Sequence, residues 1–230
     1  MNAAISIRDE RKPFLGLHGT DLIRALAAAY PGKVAAISSF GAEAAVLLDM
    51  VAEVDPSLPV LTADTGCLFP ETLEYRNCLV RRLGLQDVRI LTPEPSQLYC
   101  RDPGKDLWWT DPDACCQLRK VEPMAWASRD FKVLIDGRKR FHGGGRADVE
   151  AVSPWGVKLK AAPLAAFGPE DIEHAFIKRN LPRHPLVEAG YPSIGCEQCT
   201  SPVAAGEPVR SGRWAGRAKT ECGIHKSPWL

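Results

Sequence analysis

Apolar and polar positions come in alternating blocks along the first two thirds of the chain, and the blocks predict strands and helices in turn. Val34-Ala35-Ala36-Ile37 is an apolar run of the length of a buried parallel strand. It breaks at Ser38-Ser39-Phe40-Gly41, and residues 42–54 then place apolar side chains mainly on one face of a helix. Val60-Leu61-Thr62 predicts a second strand, ending in Asp64-Thr65-Gly66. Pro70 opens a further helix at a position where its missing N–H costs nothing. Residues 88–91 and 133–135 predict two more strands, the second running into Asp136-Gly137-Arg138. Strand, loop and helix repeated in this way predict an α/β fold, a mainly parallel sheet flanked by helices. Ligands of such sheets sit beyond the carboxyl ends of the strands. The SSFG, DTG and DGRKR loops all follow strands and share that edge. Residues 191–230 show no periodicity and are rich in Gly, Pro and Ser, so they need a partner surface to order them.

Composition narrows the class. The 230 residues are 45% hydrophobic and 25% charged, which excludes disorder and collagen-like repeats. A formal charge of +1 gives no global electrostatic argument for nucleic acid. No apolar run approaches the roughly 18 residues of a membrane span, and MNAAISIRDERK turns charged before any export signal develops. A cytoplasmic protein is expected. Charge is unevenly placed, however. Residues 1–100 hold 9 basic and 12 acidic residues, whereas 101–230 hold 20 and 16. Basic segments at 129–146 and 209–226 flank cysteine motifs, a pattern that suits a small anionic substrate.

Eight cysteines need explaining, because reducing cytosol disfavours a disulfide framework. Cys78 and Cys100 are read as small buried hydrophobes. Cys115-Cys116 and Cys196-Glu197-Gln198-Cys199 offer four thiolates in two pairs, a donor set for zinc or an iron–sulfur cluster. Neighbouring cysteines on a helix point about 100° apart, a spread that fits the separate corners of a [4Fe–4S] cluster better than one ion. Cys222 in KTECGIH stands apart from these pairs. Lys219 and His225 lie three residues to either side and Arg213 lies upstream, and nearby cations favour thiolate over thiol. An inert surface thiol is the alternative. Arg210 and Arg213 suit phosphate or sulfate oxygens, with a basic solvated tail as the alternative. SSFGAE can aim backbone N–H groups at a phosphate or form an ordinary turn. Asp64 can hold a ribose or adenine edge or cap its own turn. His18, His142, His174 and His184 show no partner pattern.

SSFGAEAAVLLDM, DTGCLFPETLEY, the CC…CEQC pairs and KTECGIH, in order over residues 34–225, resemble the assimilatory adenylylsulfate (APS) and phosphoadenylylsulfate (PAPS) reductases, on the iron–sulfur, APS-type branch. The resemblance implies an adenine-nucleotide α-hydrolase-like (PP-loop type) fold with residues 1–200 as one reductase domain and 201–230 as a catalytic tail. It implies that Cys222 attacks the sulfonyl sulfur, that AMP leaves, and that thioredoxin releases sulfite from the S-sulfocysteine. It assigns a [4Fe–4S] cluster to Cys115, Cys116, Cys196 and Cys199, and a place between cluster and substrate to Lys120. Ser38, Ser39 and Asp64 match the nucleotide cradle; Arg210, Arg213, Trp214 and His225 match substrate-side positions. A basic residue of the 138–146 loop, Arg138 foremost, is expected on the phosphate. Relatives are often homo-oligomers. Gln198 replaces a proline common in the family's C-x-x-C, and Cys67 is an additional thiol. PAPS reduction is the nearest alternative; an ATP-dependent adenylating or thiolating PP-loop protein leaves KTECGIH without a role.

Overall fold

Six strands build one sheet: β1 (Val34–Ile37), β2 (Val60–Ala63), β3 (Val88–Leu91), β4 (Val133–Asp136), β5 (Val152–Trp155) and β6 (Lys158–Ala161). They lie in the order β3-β2-β1-β4-β6-β5. The computed structural model describes residues 10–225 and 228, so most of the segment read for an export signal lies outside the described residues. All pairings are parallel except the edge pair β5–β6. β1 and β4 are buried at every position, as unbroken apolar strands covered on both faces must be.

The strand period of two divides the core. Val34, Ala36, Val133 and Ile135 pack into a cluster with Leu22, Leu26, Leu48, Val51, Ile172 and Phe176. Those partners come from helices α1 (Gly19–Ala29), α2 (Ala44–Val54) and α8 (Pro169–Lys178). Ala35, Ile37, Leu61 and Leu134 face the other way, onto Val121, Met124, Phe131 and Ile224. Ile224 belongs to the tail, so the chain's last described turn is part of the core. Burying such a side chain is worth about 1.5–3 kcal/mol. Among the described residues no helix is long and apolar enough to cross a membrane.

Between β2 and β4 the chain is mostly helical and includes the adjacent cysteine pair. Helix α3 (Pro70–Leu83) follows the DTG turn, with α4 (Pro95–Arg101) and the single turn α5 (Leu107–Thr110) beyond β3. Asp111 then caps α6 (Pro112–Cys116), accepting from the N–H groups of Asp113 and Ala114 at 3.1 and 2.9 Å. The helix continues through a π turn, Gln117–Val121, into α7 (Glu122–Ser128). Cys100 lies on α4, which buries no side chain; it is exposed, and Cys78 is only half-buried. The reading of these two as buried hydrophobes therefore fails for Cys100, because α4 lies against solvent, and holds only in part for Cys78 on α3.

The tail is irregular but tied at several points. Thr200 bridges Arg213, and the Trp214 N–H donates to the Cys199 carbonyl at 3.0 Å. Arg217 donates to the Trp109 carbonyl at 2.8 Å, and Lys219 pairs with Asp113 on the cysteine helix. Gly212 is required at its position, since a Cβ there would stand 2.1 Å from the Ser201 carbonyl oxygen.

Candidate active site

The order of strands reverses between β1 and β4, each of which opens onto the same crevice. A cavity of about 190 Å³ lies there, bordered by Ser38, Ser39, Asp136, Arg138, Arg213 and Cys222 among others. Ser38 is set by the end of β1: its N–H donates to the Leu61 carbonyl and its hydroxyl accepts from the Phe40 N–H at 3.1 Å. Phe40 adopts a φ of +49° while almost wholly buried, a strained turn held by packing. The turn delivers Glu43, beside the start of α2, to the cavity wall.

The predicted residues do not all converge. Ser38, Ser39, Lys120, Arg138, Arg210, Arg213, Trp214, Cys222 and His225 border this cavity. Asp64 does not. It accepts from its own turn at Gly66 N, 3.1 Å, and lies 3.3 Å from Arg76, so the turn-capping alternative describes its contacts. Thr65 and Cys67 of the same loop face a second, smaller cavity, lined also by Cys115, Cys116, Cys196 and Cys199. Thr65 Oγ1 lies 3.2 Å from Cys196 Sγ, and Leu68 bridges Cys196. All four paired cysteines therefore meet, together with Cys67 as a fifth thiol. Among the described residues no three His, Cys, Asp or Glu side chains form a group suited to a single metal ion.

Lys120 borders both cavities. It sits on the π turn, whose extra residue per turn displaces Arg119 and Lys120 from a regular helical face. Burial works against its charge, but the sulfurs of Cys196, Cys222 and Cys116 outweigh burial and hold it above the ordinary lysine range. Cys222 is held well below the ordinary thiol range. Cys116 donates to its sulfur, burial opposes the charge, and Lys120, the Ile224 N–H and Arg213 favour it. Arg213 lies flat on Gly195, where a Cβ would fall 2.1 Å from the guanidinium, and donates to the Ile194 carbonyl at 3.1 Å.

Two carboxylates that sequence left unassigned, Glu43 and Glu221, complete the wall. Glu43 takes an ion pair from Lys139 at 2.7 Å and lies 3.0 Å from His142 Nε2. Glu221, next to Cys222, receives Arg146 at 2.6 and 3.0 Å and Arg210 at 3.2 Å. Burial resists ionisation of Glu43, yet His142 and Lys139 carry its pKa down to about 2. Arg146 does the same for Glu221 against burial, also to about 2.

A protein-family model described as the phosphoadenosine phosphosulfate reductase domain matches residues 33–202. The chain belongs to this reductase family. A curated relative from Chelativorans sp. (strain BNC1), named adenosine 5'-phosphosulfate reductase, is 50% identical over 195 residues, covering 84% of this chain and 79% of the relative. One of the same name from Mycobacterium tuberculosis (strain ATCC 25618 / H37Rv) is 40% identical over 188 residues, 80% and 73% of the two chains. Among solved structures, a phosphoadenylyl-sulfate reductase from Candida auris superposes with a TM-score of 0.71 at 21% identity, over 86% of this chain and 96% of that one. An FMN adenylyltransferase from Candida glabrata superposes with a TM-score of 0.57 at 13% identity, over 83% and 67%. These two likenesses show the fold, a mainly parallel sheet flanked by helices.

In this member of the reductase family, acid should dismantle the cation wall. A carboxyl depressed in the fold contributes stability above its unfolded pKa and loses it as pH falls through the folded one. Burial also pushes His142 below its ordinary value, so protonation opposes folding there too. Melting temperature is expected to fall steadily as pH drops from 4.5 to about 2, and Glu43→Gln should flatten that limb. An equally steep limb in the variant would remove Glu43 as its source.

Proposed function

We propose that this chain reduces adenylylsulfate to sulfite and AMP in sulfate assimilation, with Cys222 as the nucleophile and a thioredoxin dithiol as the reductant. The observation that carries the reading is Cys222 itself, which borders a cavity of about 190 Å³ together with Arg213 and with Lys120, the residue that also borders the four-cysteine cavity. The curated relatives named adenosine 5'-phosphosulfate reductase at 40–50% identity support the substrate.

The Cys222 thiolate attacks the sulfonyl sulfur, a sulfur–sulfur bond forms, and the bond from that sulfur to the phosphate oxygen breaks. AMP leaves with the electron pair. Lys120 and Arg213 meet the charge on the sulfonyl oxygens, and Arg138, Arg210 or Arg146 meets the phosphate. Arg213 Nε and the Trp214 indole N–H are buried donors without a hydrogen-bond partner among the described residues, and both belong to residues bordering the cavity. Unsatisfied buried donors cost about 1–3 kcal/mol each, and an anionic nucleotide offers them acceptors. A thioredoxin thiolate then attacks Cys222 Sγ and sulfite departs. The second thioredoxin thiol closes a disulfide and returns the Cys222 thiolate.

Soft thiol donors lining one cavity, with Arg119 and Lys120 beside them to balance negative charge, fit a [4Fe–4S] group. Cys115, Cys116, Cys196 and Cys199 would hold it. When bound, it supplies charge and fixed position behind Lys120. As a ligand Cys116 carries no proton to donate, and Lys120, Arg213 and the Ile224 N–H then hold the Cys222 thiolate.

Sulfite release by anaerobically purified protein with thioredoxin, comparing APS and PAPS in parallel, tests the reading. Strong preference for APS is expected. Better use of PAPS would replace the substrate, and no sulfite from either would overturn the function.

A further inference from the structure

The strongest feature outside the nucleophile and its cations is a lysine on the sheet. Lys160 sits in the middle of β6, paired with Leu134 on one side and Ser153 on the other, and it is wholly buried. Its Nζ donates to the Ile224 carbonyl at 3.0 Å and lies 3.2 Å from His225 Nδ1. It stands 3.8 Å from the Trp155 ring centroid and 3.8 Å from Asp136 Oδ2. A buried ammonium is costly unless paired, so a fold that keeps one here has a use for it.

The contacts decide a proton. An ammonium has donors and no acceptor, so a lysine facing Nδ1 leaves that nitrogen only the accepting role. The competing arrangement has Nδ1 carrying the proton and giving it to Asp136, whose Oδ2 is 3.8 Å away. That distance exceeds a hydrogen bond, whereas 3.2 Å does not. Asp136 is meanwhile engaged by Arg138 Nε at 2.9 and 3.0 Å. The groups facing His225 are thus Lys160 from β6, Asp136 from β4, Arg146 from the loop after β4, and Glu221 from the tail. Burial and the Lys160 charge keep the imidazole neutral, well below its ordinary pKa, against the pull of Asp136.

We propose that Lys160 is a positioning residue that fixes His225 as the neutral Nε2–H tautomer, so that the ring presents a donor to the substrate cavity. The inference rests on the reductase reading of the site. His225 borders the cavity that Cys222 also borders, and Nε2 is the ring nitrogen remote from Lys160. A neutral N–H there can hydrogen-bond an oxygen of the sulfonyl or departing phosphate group as charge grows on it. The same ammonium holds the Ile224 carbonyl, two residues from Cys222, so one side chain sets both the donor and the turn that carries the nucleophile.

The test separates tautomer from activity. In the full-length protein labelled with 15N-histidine, long-range nitrogen–proton correlation should assign His225 as Nε2–H at neutral pH. Lys160→Met keeps the length and removes the charge; it should convert His225 to a mixed or Nδ1–H form, with kcat lowered about 100-fold and KM changed far less. Lys160→Arg should restore the Nε2–H form and much of kcat. Combined with His225→Asn, Lys160→Met should add little further loss. An unchanged His225 tautomer in Lys160→Met, or full additivity with His225→Asn, would overturn the proposal. If Lys160→Met does not fold, the tautomers in wild type and Lys160→Arg still decide, since an Nδ1–H imidazole in the wild type overturns it. Absence of sulfite from wild-type protein with an Nε2–H His225 would remove the function and leave the positioning intact.

Discussion

Cys222→Ser is expected to lower sulfite release by about 10⁴-fold or more, to the limit of detection. A serine hydroxyl in this setting stays protonated, and the cations that favour a thiolate at Cys222 cannot make an alkoxide of it. The loss should be chemical and not structural. Ile224, two residues on, remains in the cluster with Val121 and Met124, and Lys219 keeps its pair with Asp113. The melting temperature should therefore hold. Wild-type protein given APS without reductant should gain the mass of one SO₃ group on the peptide carrying Cys222, and the variant should gain none. Sulfite release by Cys222→Ser at a tenth of the wild-type rate would remove the proposed nucleophile, and an SO₃ adduct elsewhere would reassign it.

The largest expected effect on stability lies behind the cysteine cavity. Asp102, almost fully buried, accepts from Arg119 at 2.6 Å and from the Leu107 N–H at 3.1 Å. Arg119 in turn donates to the Thr65 carbonyl at 2.9 Å, which holds the DTG turn against the cysteine loop. Asp102→Ala leaves a guanidinium buried without its counter-charge, and such a loss costs about 3–5 kcal/mol. In a chain of this size that corresponds to a fall in melting temperature of about 10 °C. Removing both partners, Asp102→Ala with Arg119→Met, should recover part of the loss, because an apolar pair avoids the stranded charge. A fall of less than about 1 kcal/mol in the single variant would show the pair to be solvated.

The two effects trace to different kinds of information. The central strands β1, β2 and β4 were legible because burial on both faces forces continuous apolar runs, and they and the exposed edge strand β3 lie where the sequence predicts them. The hairpin β5–β6 was not, since Pro154, Lys158 and Lys160 break the apolar pattern of an edge that tertiary contacts stabilise instead. Helix α2 begins at Ala44, two residues later than its apolar face suggests, because the strained Phe40 turn extends past Gly41.

At the site, chemistry borne on short motifs could be read directly. Paired cysteines, a cysteine among cations, and a small-residue loop after a strand each have few physical uses, and the structure gathers these motifs around two adjoining cavities. Partnerships between distant residues could not be read. Glu43 with Lys139 and His142, Glu221 with Arg146, and Lys160 with His225 join residues 65–99 positions apart, and carry no local spacing. Nor could Asp64 be settled, since a carboxylate after a strand serves equally to cap a turn or meet a ligand, and only its 3.3 Å approach to Arg76 shows where it points. Sequence by itself determined the fold class, the family and the reactive groups, because hydrophobic period and side-chain chemistry are local properties. Tertiary structure alone decided which charges face one another, because Coulomb and hydrogen-bond energies depend on distances in space that chain position does not record.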